Sequence, residues 1–185
     1  VTMDDIARHL AISKKTLYQH FADKDDMVYK MSENFLERAF KQYEEIAHQA
    51  KNSIEELSMI SVCMKKDMEH LNPSVLFDLQ KYHPKAWNLW MTHKSKVITE
   101  SVIRNIRNGI EDGYFRSDIN PEIMAITRII LIESAFDSHL YPRDRFNFFD
   151  VQTQLFDLFV YGLCTEKGKK LYLKYKEPNY QPTIL

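Results

Sequence analysis

All six prolines of the chain lie after residue 70, and only four glycines occur in its 185 residues. Glycine and proline punctuate regular structure. A chain this poor in them folds into long helices with a few abrupt breaks, not into a sheet protein full of turns. The expected class is all-α. The length suits one ordinary domain, or a small head fused to a larger body, and is enough to bury a real core. The formal net charge of −1 excludes a molecule that binds polyanions over its whole surface, so any such activity has to be local.

Residues 2–24, TMDDIARHLAISKKTLYQHFADK, hold the first local concentration of positive charge: Arg8, Lys14, Lys15 and Lys24 against Asp23 leave a net +3 over residues 8–24. Thr2 is suited to N-cap a short helix, and Asp4 and Asp5 suit its positive end. Ile6, Ala7 and Leu10 share one apolar face. Ala11 and Ile12 make a turn, Ser13 caps a second helix, and Leu17 and Phe21, four apart, form its inner side. The outer side carries Lys14, Lys15, Thr16, Tyr18, Gln19 and His20, a set of donors and rings that can meet phosphates and base edges. Two short helices with such a second member read as a helix-turn-helix, which lays that helix in the major groove of DNA.

The order Ile6-Ala7 to Leu10, Ser13, Thr16-Leu17-Tyr18-Gln19-His20-Phe21 and Lys24-Asp25-Asp26-Met27, directly before a long amphipathic helix, resembles the tetracycline-repressor-like (TetR) family of bacterial transcription regulators. The motif covers roughly the first thirty residues; beyond it the resemblance is one of helical layout. It implies an N-terminal helix-turn-helix DNA-binding domain over residues 1–45, with a linker helix from about residue 24, and a C-terminal helical ligand-binding and dimerisation domain over residues 46–185. Members normally carry a further helix ahead of this point. The sequence starts at Val1, at the edge of the motif, and loss of that helix would weaken the head.

On this reading Lys14, Lys15 and Lys24 pair with phosphates, which makes affinity fall with salt. Thr2, Ser13, Tyr18 and His20 hydrogen-bond phosphates and set register. Thr16 and Gln19, with Lys14 or Lys15, reach base edges; glutamine can contact adenine bidentately and lysine can reach guanine.

Further along, Asp23 is expected to cap a helix running to residue 50, roughly 40 Å long at its ordinary rise. Met27, Met31, Phe35, Ala39, Tyr43, Ile46 and Ala50 form its apolar stripe. Ser53-x-x-Glu56 fits a capping box for the next helix, whose face is Ile54, Leu57, Ile60, Met64, Met68 and Leu71. Asn72-Pro73 and His83-Pro84 are breaks. A second long helix from residue 85 to about 112 stops at Gly113, a position suited to positive φ. Asn120-Pro121-Glu122 opens another helix, and residues 123–136 are apolar on nearly every side, so that helix is expected to be buried all round. Residues 146–163 are again broadly apolar. Two successive helices with more apolar surface than one small body can hide suggest a homodimer, two helices from each chain around a twofold axis. Near the end, Lys167, Lys169, Lys170, Lys174 and Lys176 against Glu166 read as a solvated helix end.

Met59, Met64, Phe77, Trp87, Trp90, Met91 and Phe136 are candidates to line a cavity for a hydrophobic or aromatic effector, as the resemblance implies, although methionine and aromatic stripes are most often plain core. His93, His139 and Glu133 are possible polar anchors. No H-x-x-x-H pair, cysteine pair at ligand spacing, G-x-S-x-G or phosphate-cradling glycine loop occurs, so neither a metal, a cofactor nor an enzymatic activity is expected. Cys63 and Cys164 read as small buried hydrophobes of a reducing compartment. No apolar run approaches bilayer length, and the expected location is the cytoplasm. The resulting expectation is a homodimeric regulator, most simply a repressor, that binds double-stranded operator DNA and releases it on taking up a small molecule. The alternatives are a helical ligand carrier or enzyme with a vestigial head, and a helical module whose oily last helices bind another protein.

Overall fold

The computed structural model describes residues 1–69 and 73–177, without the side chains of residues 67–69, 73, 74, 76, 93 and 94. Leu71 and Asn72, and the side chains of Met68 and His93, therefore lie outside the described residues. Nine helices form among the described residues: α1 (Met3–His9), α2 (Lys14–His20), α3 (Lys24–Gln49), α4 (Ser53–Glu69), α5 (Pro73–Tyr82), α6 (Pro84–Glu111), α7 (Pro121–Ser134), α8 (Phe148–Leu163) and α9 (Glu166–Tyr175). They make two compact units, one of Val1–Ala39 with Ser74–Lys94, the other of Phe40–Pro73 with Ser95–Leu185.

In the first unit a small core of Met3, Ala7, Leu17 and Met27 is packed against by Ile6 and Phe21. Leu10, read as part of the α1 face, instead caps the C-terminus of α1 and stays 54% exposed, while Met3 takes the inward place. Asp23 caps α3 as expected: its Oδ1 accepts from Asp26 N at 2.8 Å, and Asp26 Oδ2 accepts in return from Ala22 N at 2.9 Å. The stripe on α3 turns differently from the sequence reading. Met27 and Ile46 are buried as expected, but Met31 and Phe35 are exposed and Leu36 is buried instead. At the α5–α6 junction His83 Nδ1 lies 2.6 Å from Asp25 Oδ1 on α3.

Ala11 has φ 52°, a left-handed conformation that crowds an L-residue's Cβ against its own backbone. The bonds Ala11 N to Arg8 O and Ile12 N to Ala7 O close the turn around it. Glycine would relieve about 1 kcal/mol of that strain, partly offset by the greater freedom of the unfolded chain. Ala11→Gly is therefore expected to hold or raise Tm. Ala11→Val, branched at Cβ, should lower stability by about 1–2 kcal/mol. A pair of thermal melts checks both signs.

The second unit has a core of Ile54, Leu57, Ile106, Phe115, Phe156, Phe159, Val160, Leu163, Cys164 and Tyr172, drawn from α4, α6, α8, α9 and the loop after α6. The cap of α4 is one residue earlier than the capping box predicts. Asn52 Oδ1 accepts from Ile54 N and Glu55 N, and Glu55 reaches back to Lys51 N at 2.7 Å. Glu56 is unavailable to Ser53 because it is held by Arg104 Nη2 and Asn105 Nδ2, both at 2.7 Å. A buried carboxylate is worth more against a guanidinium than at a helix end.

Gly113 stops α6 with φ +72°. The chain then runs beside the end of α8: Arg116 N donates to Leu163 O, and Thr165 N donates to Tyr114 O. Thr165 caps α9. The lysine-rich tail is thus a helix, but not only a solvated one, since Tyr172 on its inner face is 1% exposed and donates to Asp157 Oδ1 at 2.8 Å. Burial, and then that carboxylate, push its phenol pKa upward.

Asn120 caps α7 and Pro121 occupies its first turn, as expected. The all-round burial expected of residues 123–136 does not occur within the chain. Ala125, Arg128 and Ile132 face inward, while Ile123, Ile126 and Ile130 are 57, 58 and 57% exposed. Both cysteines are buried, neither forms a disulfide among the described residues, and burial pushes the Cys164 thiol up to about 11.

Candidate functional site

The head presents the side chains expected of it. Thr2 and Asp5 form the reciprocal cap of α1: Thr2 N donates to Asp5 Oδ2 at 2.8 Å, and Asp5 N donates to Thr2 Oγ1 at 3.2 Å. Those bonds from the Thr2 backbone and hydroxyl hold the Asp5 carboxyl below its ordinary pKa. Ser13 Oγ accepts from Thr16 N at 3.0 Å and lies 2.7 Å from Thr16 Oγ1, so the two hydroxyls at the start of α2 are already engaged with each other. Thr2, Ser13, Lys14, Lys15, Tyr18, Gln19 and His20 are exposed, and Thr16 and Lys24 are half-buried. Leu17 on the opposite side of α2 is 2% exposed. The division of α2 into a buried stripe and a polar outer face follows from its 3.6-residue period.

Electrostatics separates the lysines. Lys14 Nζ is 2.8 Å from Asp4 Oδ1, and that hydrogen bond and charge raise its pKa. A phosphate must therefore compete with Asp4 for it. No carboxylate pairs with Lys15 among the described residues, which leaves its charge available to an outside anion. The far end of α2 is tied down by Lys30, whose Nζ donates to His20 O at 3.1 Å and to Asp26 Oδ2 at 2.9 Å. The Lys30 bond, and then the Ala22 amide, hold the Asp26 carboxyl below its usual range. Lys30 has no signature in the sequence reading; an aspartate and lysine four apart in the first turns of a helix are the signal that marks it.

The proposed effector residues are divided between the two units. Met59, Met64 and Phe136 belong to one, and Phe77, Trp87, Trp90 and Met91 to the other. Met59 is buried beside Ile46 and Cys63, and the Phe136 ring lies 4.8 Å from that of Phe148. Trp87 and Trp90 stack with centroids 5.2 Å apart. His139 is exposed and Glu133 half-buried.

Arg128 is the residue that the sequence reading passes over. It is the lone cation of the apolar run at residues 123–136, and it faces inward, 4% exposed. Its guanidinium carbon lies 4.8 Å from the Phe156 ring centroid and 5.9 Å from that of Phe159. Nη1 is buried with no hydrogen-bond partner. Desolvation brings its pKa down to about 10, so it stays charged at neutral pH. Among the described residues no group of three histidine, cysteine or acidic side chains could hold a metal ion, and no helix is long and apolar enough to cross a membrane.

A capped helix pair with a polar, partly cationic second helix, ahead of a separate helical body, defines a DNA-binding regulator of the helix-turn-helix class. The comparisons agree. Residues 1–31 match the model of the bacterial regulatory proteins of the tetR family. It is similar to the HTH-type transcriptional regulator YvaF of Bacillus subtilis, 25% identical over 169 residues, covering 90% of this chain and 87% of that protein. It is also similar to the HTH-type transcriptional repressor KstR2 of Mycobacterium tuberculosis, 27% identical over 126 residues, or 66% of this chain and 63% of that one. The structure of the ketosteroid transcriptional regulator KstR2 from the same organism shares the fold, with a TM-score of 0.57 at 22% identity over 90% of this chain and 86% of that one.

Proposed function

We propose that this chain is a transcriptional repressor that binds operator DNA as a homodimer and is released by a small hydrophobic molecule. The observation that carries the DNA half is the exposed outer face of α2, with Lys15, Tyr18, Gln19 and His20 displayed on a helix whose other side is locked by Leu17. Residues 1–45 read the DNA in this account, and residues 46–185 take up the effector and the partner chain. The kinship with a repressor named for ketosteroid regulation supports an effector with a bulky apolar body. It works in the cytoplasm, where the operator lies.

Pairing follows from the reading of DNA. One short helix contacts too few base pairs for a genomic address, and a twofold dimer doubles the readout at half-sites about 34 Å apart, one turn of the duplex. The exposed isoleucine stripe of α7, with Leu158 of α8 at 65% exposure, supports a seam made from these two helices. Effector release then needs no more than a ligand with different affinities for two dimer states. Helices α3 and α6 each contribute residues to both compact units, which makes them continuous covalent elements for such a shift.

The test begins with an operator selected from random DNA by the full-length protein. Binding is then titrated with salt for the wild type and for Lys15→Ala. Removing one phosphate-pairing charge from each protomer should reduce the slope of log K against log salt by about 2 per dimer, and weaken binding evenly across sequences. Gln19→Ala should instead relax the preference at one position of each half-site. An unchanged slope in Lys15→Ala, or the enrichment of no DNA sequence at all, counts against the proposal.

A further inference from the structure

The second unit buries a cation without burying its counter-charge. Arg128 is held within the helical body, and its faces are served by the rings of Phe156 and Phe159. A π face attracts the charge of a guanidinium but accepts little from its N–H edge, and Nη1 is left with no acceptor. The nearby ionisable groups are the phenols of Tyr43 and Tyr172, neutral at physiological pH. No carboxylate pairs with Arg128 among the described residues, although the neighbouring α6 shows the usual solution, with Arg104 bound to Glu56 at 2.7 Å. A desolvated, uncompensated cation is among the most destabilising features a core can hold, and an isosteric methionine would fill the same space without that penalty.

One helical turn further along the same contact between α7 and α8, Gln152 Nε2 donates to Ile132 O at 3.0 Å, while its buried Oε1 has no donor. The seam between these helices therefore carries both an unfilled donor and an unfilled acceptor. We infer that Arg128 is the anchor for the acidic end of the effector, and that the effector is a monocarboxylate on an apolar body, with Gln152 available to a hydroxyl or amide donor on the same molecule. The planar fork of arginine fits a carboxylate in two parallel hydrogen bonds, and the rings beneath it suit the hydrocarbon that follows. This inference rests on the reading of the chain as an effector-responsive regulator, and it narrows the effector from hydrophobic to amphipathic and anionic.

The experiment uses the full chain and three probes, decanoate, 4-phenylbutyrate and cholate, each against its own methyl ester. Calorimetry and thermal shift measure binding to the wild type, Arg128→Met and Arg128→Lys. The wild type should bind at least one acid about tenfold or more tightly than its ester. Arg128→Met should lose that preference while its ligand-free Tm is held or raised, and Arg128→Lys should keep part of it. The inference is overturned if acids and esters bind alike, if none of the acids binds the wild type, or if Arg128→Met binds the acid as well as the wild type does. A fall of several degrees in the ligand-free Tm of Arg128→Met with the preference intact makes the arginine a structural group and also overturns it. Operator release separates the two readings. An acid that binds through Arg128 but leaves operator affinity unchanged upholds the site and removes the proposed regulation. Release by the esters, undiminished in Arg128→Met, upholds the regulation and removes the site.

Discussion

Ile126→Arg is expected to leave the chain folded and to make it monomeric. Ile126 lies between Ile123 and Ile130 on the outer stripe of α7 and is 58% exposed in the single chain, so its replacement disturbs little within the protomer. Across a twofold seam the same substitution occurs on both sides, which puts two unpaired cations into an apolar contact. At about 2 kcal/mol for each, the cost is about 4 kcal/mol, on the order of a thousandfold in the dimer dissociation constant. Light scattering at micromolar concentration should show the mass falling from twice the 22.0 kDa of one chain to that of one chain. The helical circular dichroism should remain, and operator affinity should fall with the loss of the second half-site. Ile126→Leu should behave as the wild type. If the arginine variant keeps the dimer mass, α7 is not the seam.

Gly168→Ala is expected to produce a large loss of stability. A Cβ at that position would lie 2.1 Å from Tyr114 O and 3.0 Å from its carbonyl carbon. The obstacle is backbone, so no rotamer change relieves it. Neither side is able to yield easily. Tyr114 O accepts from Thr165 N at 2.9 Å and from Thr165 Oγ1 at 3.1 Å, and the adjoining Phe115 is 1% exposed in the core. On the other side Gly168 N is the donor to the Thr165 cap at 3.2 Å. Separating α9 from the loop breaks these bonds and lifts Tyr172 from the core, at a cost of about 3 kcal/mol, or about 6–12 °C in Tm for a chain of this size. Gly113→Ala is the informative contrast. It meets no atom within 4 Å but keeps φ +72°, and should cost only about 1 kcal/mol. Equal losses at the two glycines would mean that the close approach at Gly168 is not what holds α9 in place.

How far the sequence could be read depended on the range of the interactions concerned. The caps at Thr2, Ser13, Asp23 and Asn120 and the stop at Gly113 were all legible, because each is set by hydrogen bonds or a φ preference within about four residues. The polar outer face of α2 was legible for the same reason, since helical period alone separates Leu17 from Gln19. The cap of α4 was misread by one residue because its outcome depends on Arg104 and Asn105, some fifty positions away, which claim Glu56. The inward turn of Leu36 in place of Phe35, and the exposure of Ile126 in place of full burial, depend in the same way on which neighbouring helix arrives.

The chain's own order of residues thus determined that it is helical, where most helices start and stop, and that its head is of the helix-turn-helix kind. These are consequences of local hydrogen bonding and of a 3.6-residue period. Tertiary structure alone decided that the lysine-rich tail buries Tyr172, that the loop at Tyr114 closes the core by pressing against Gly168 of α9, and that Arg128 enters an apolar body without a carboxylate beside it. Those outcomes depend on contacts between segments distant in sequence, where burial sets the energetic value of each polar group and no local pattern records which partner it will meet.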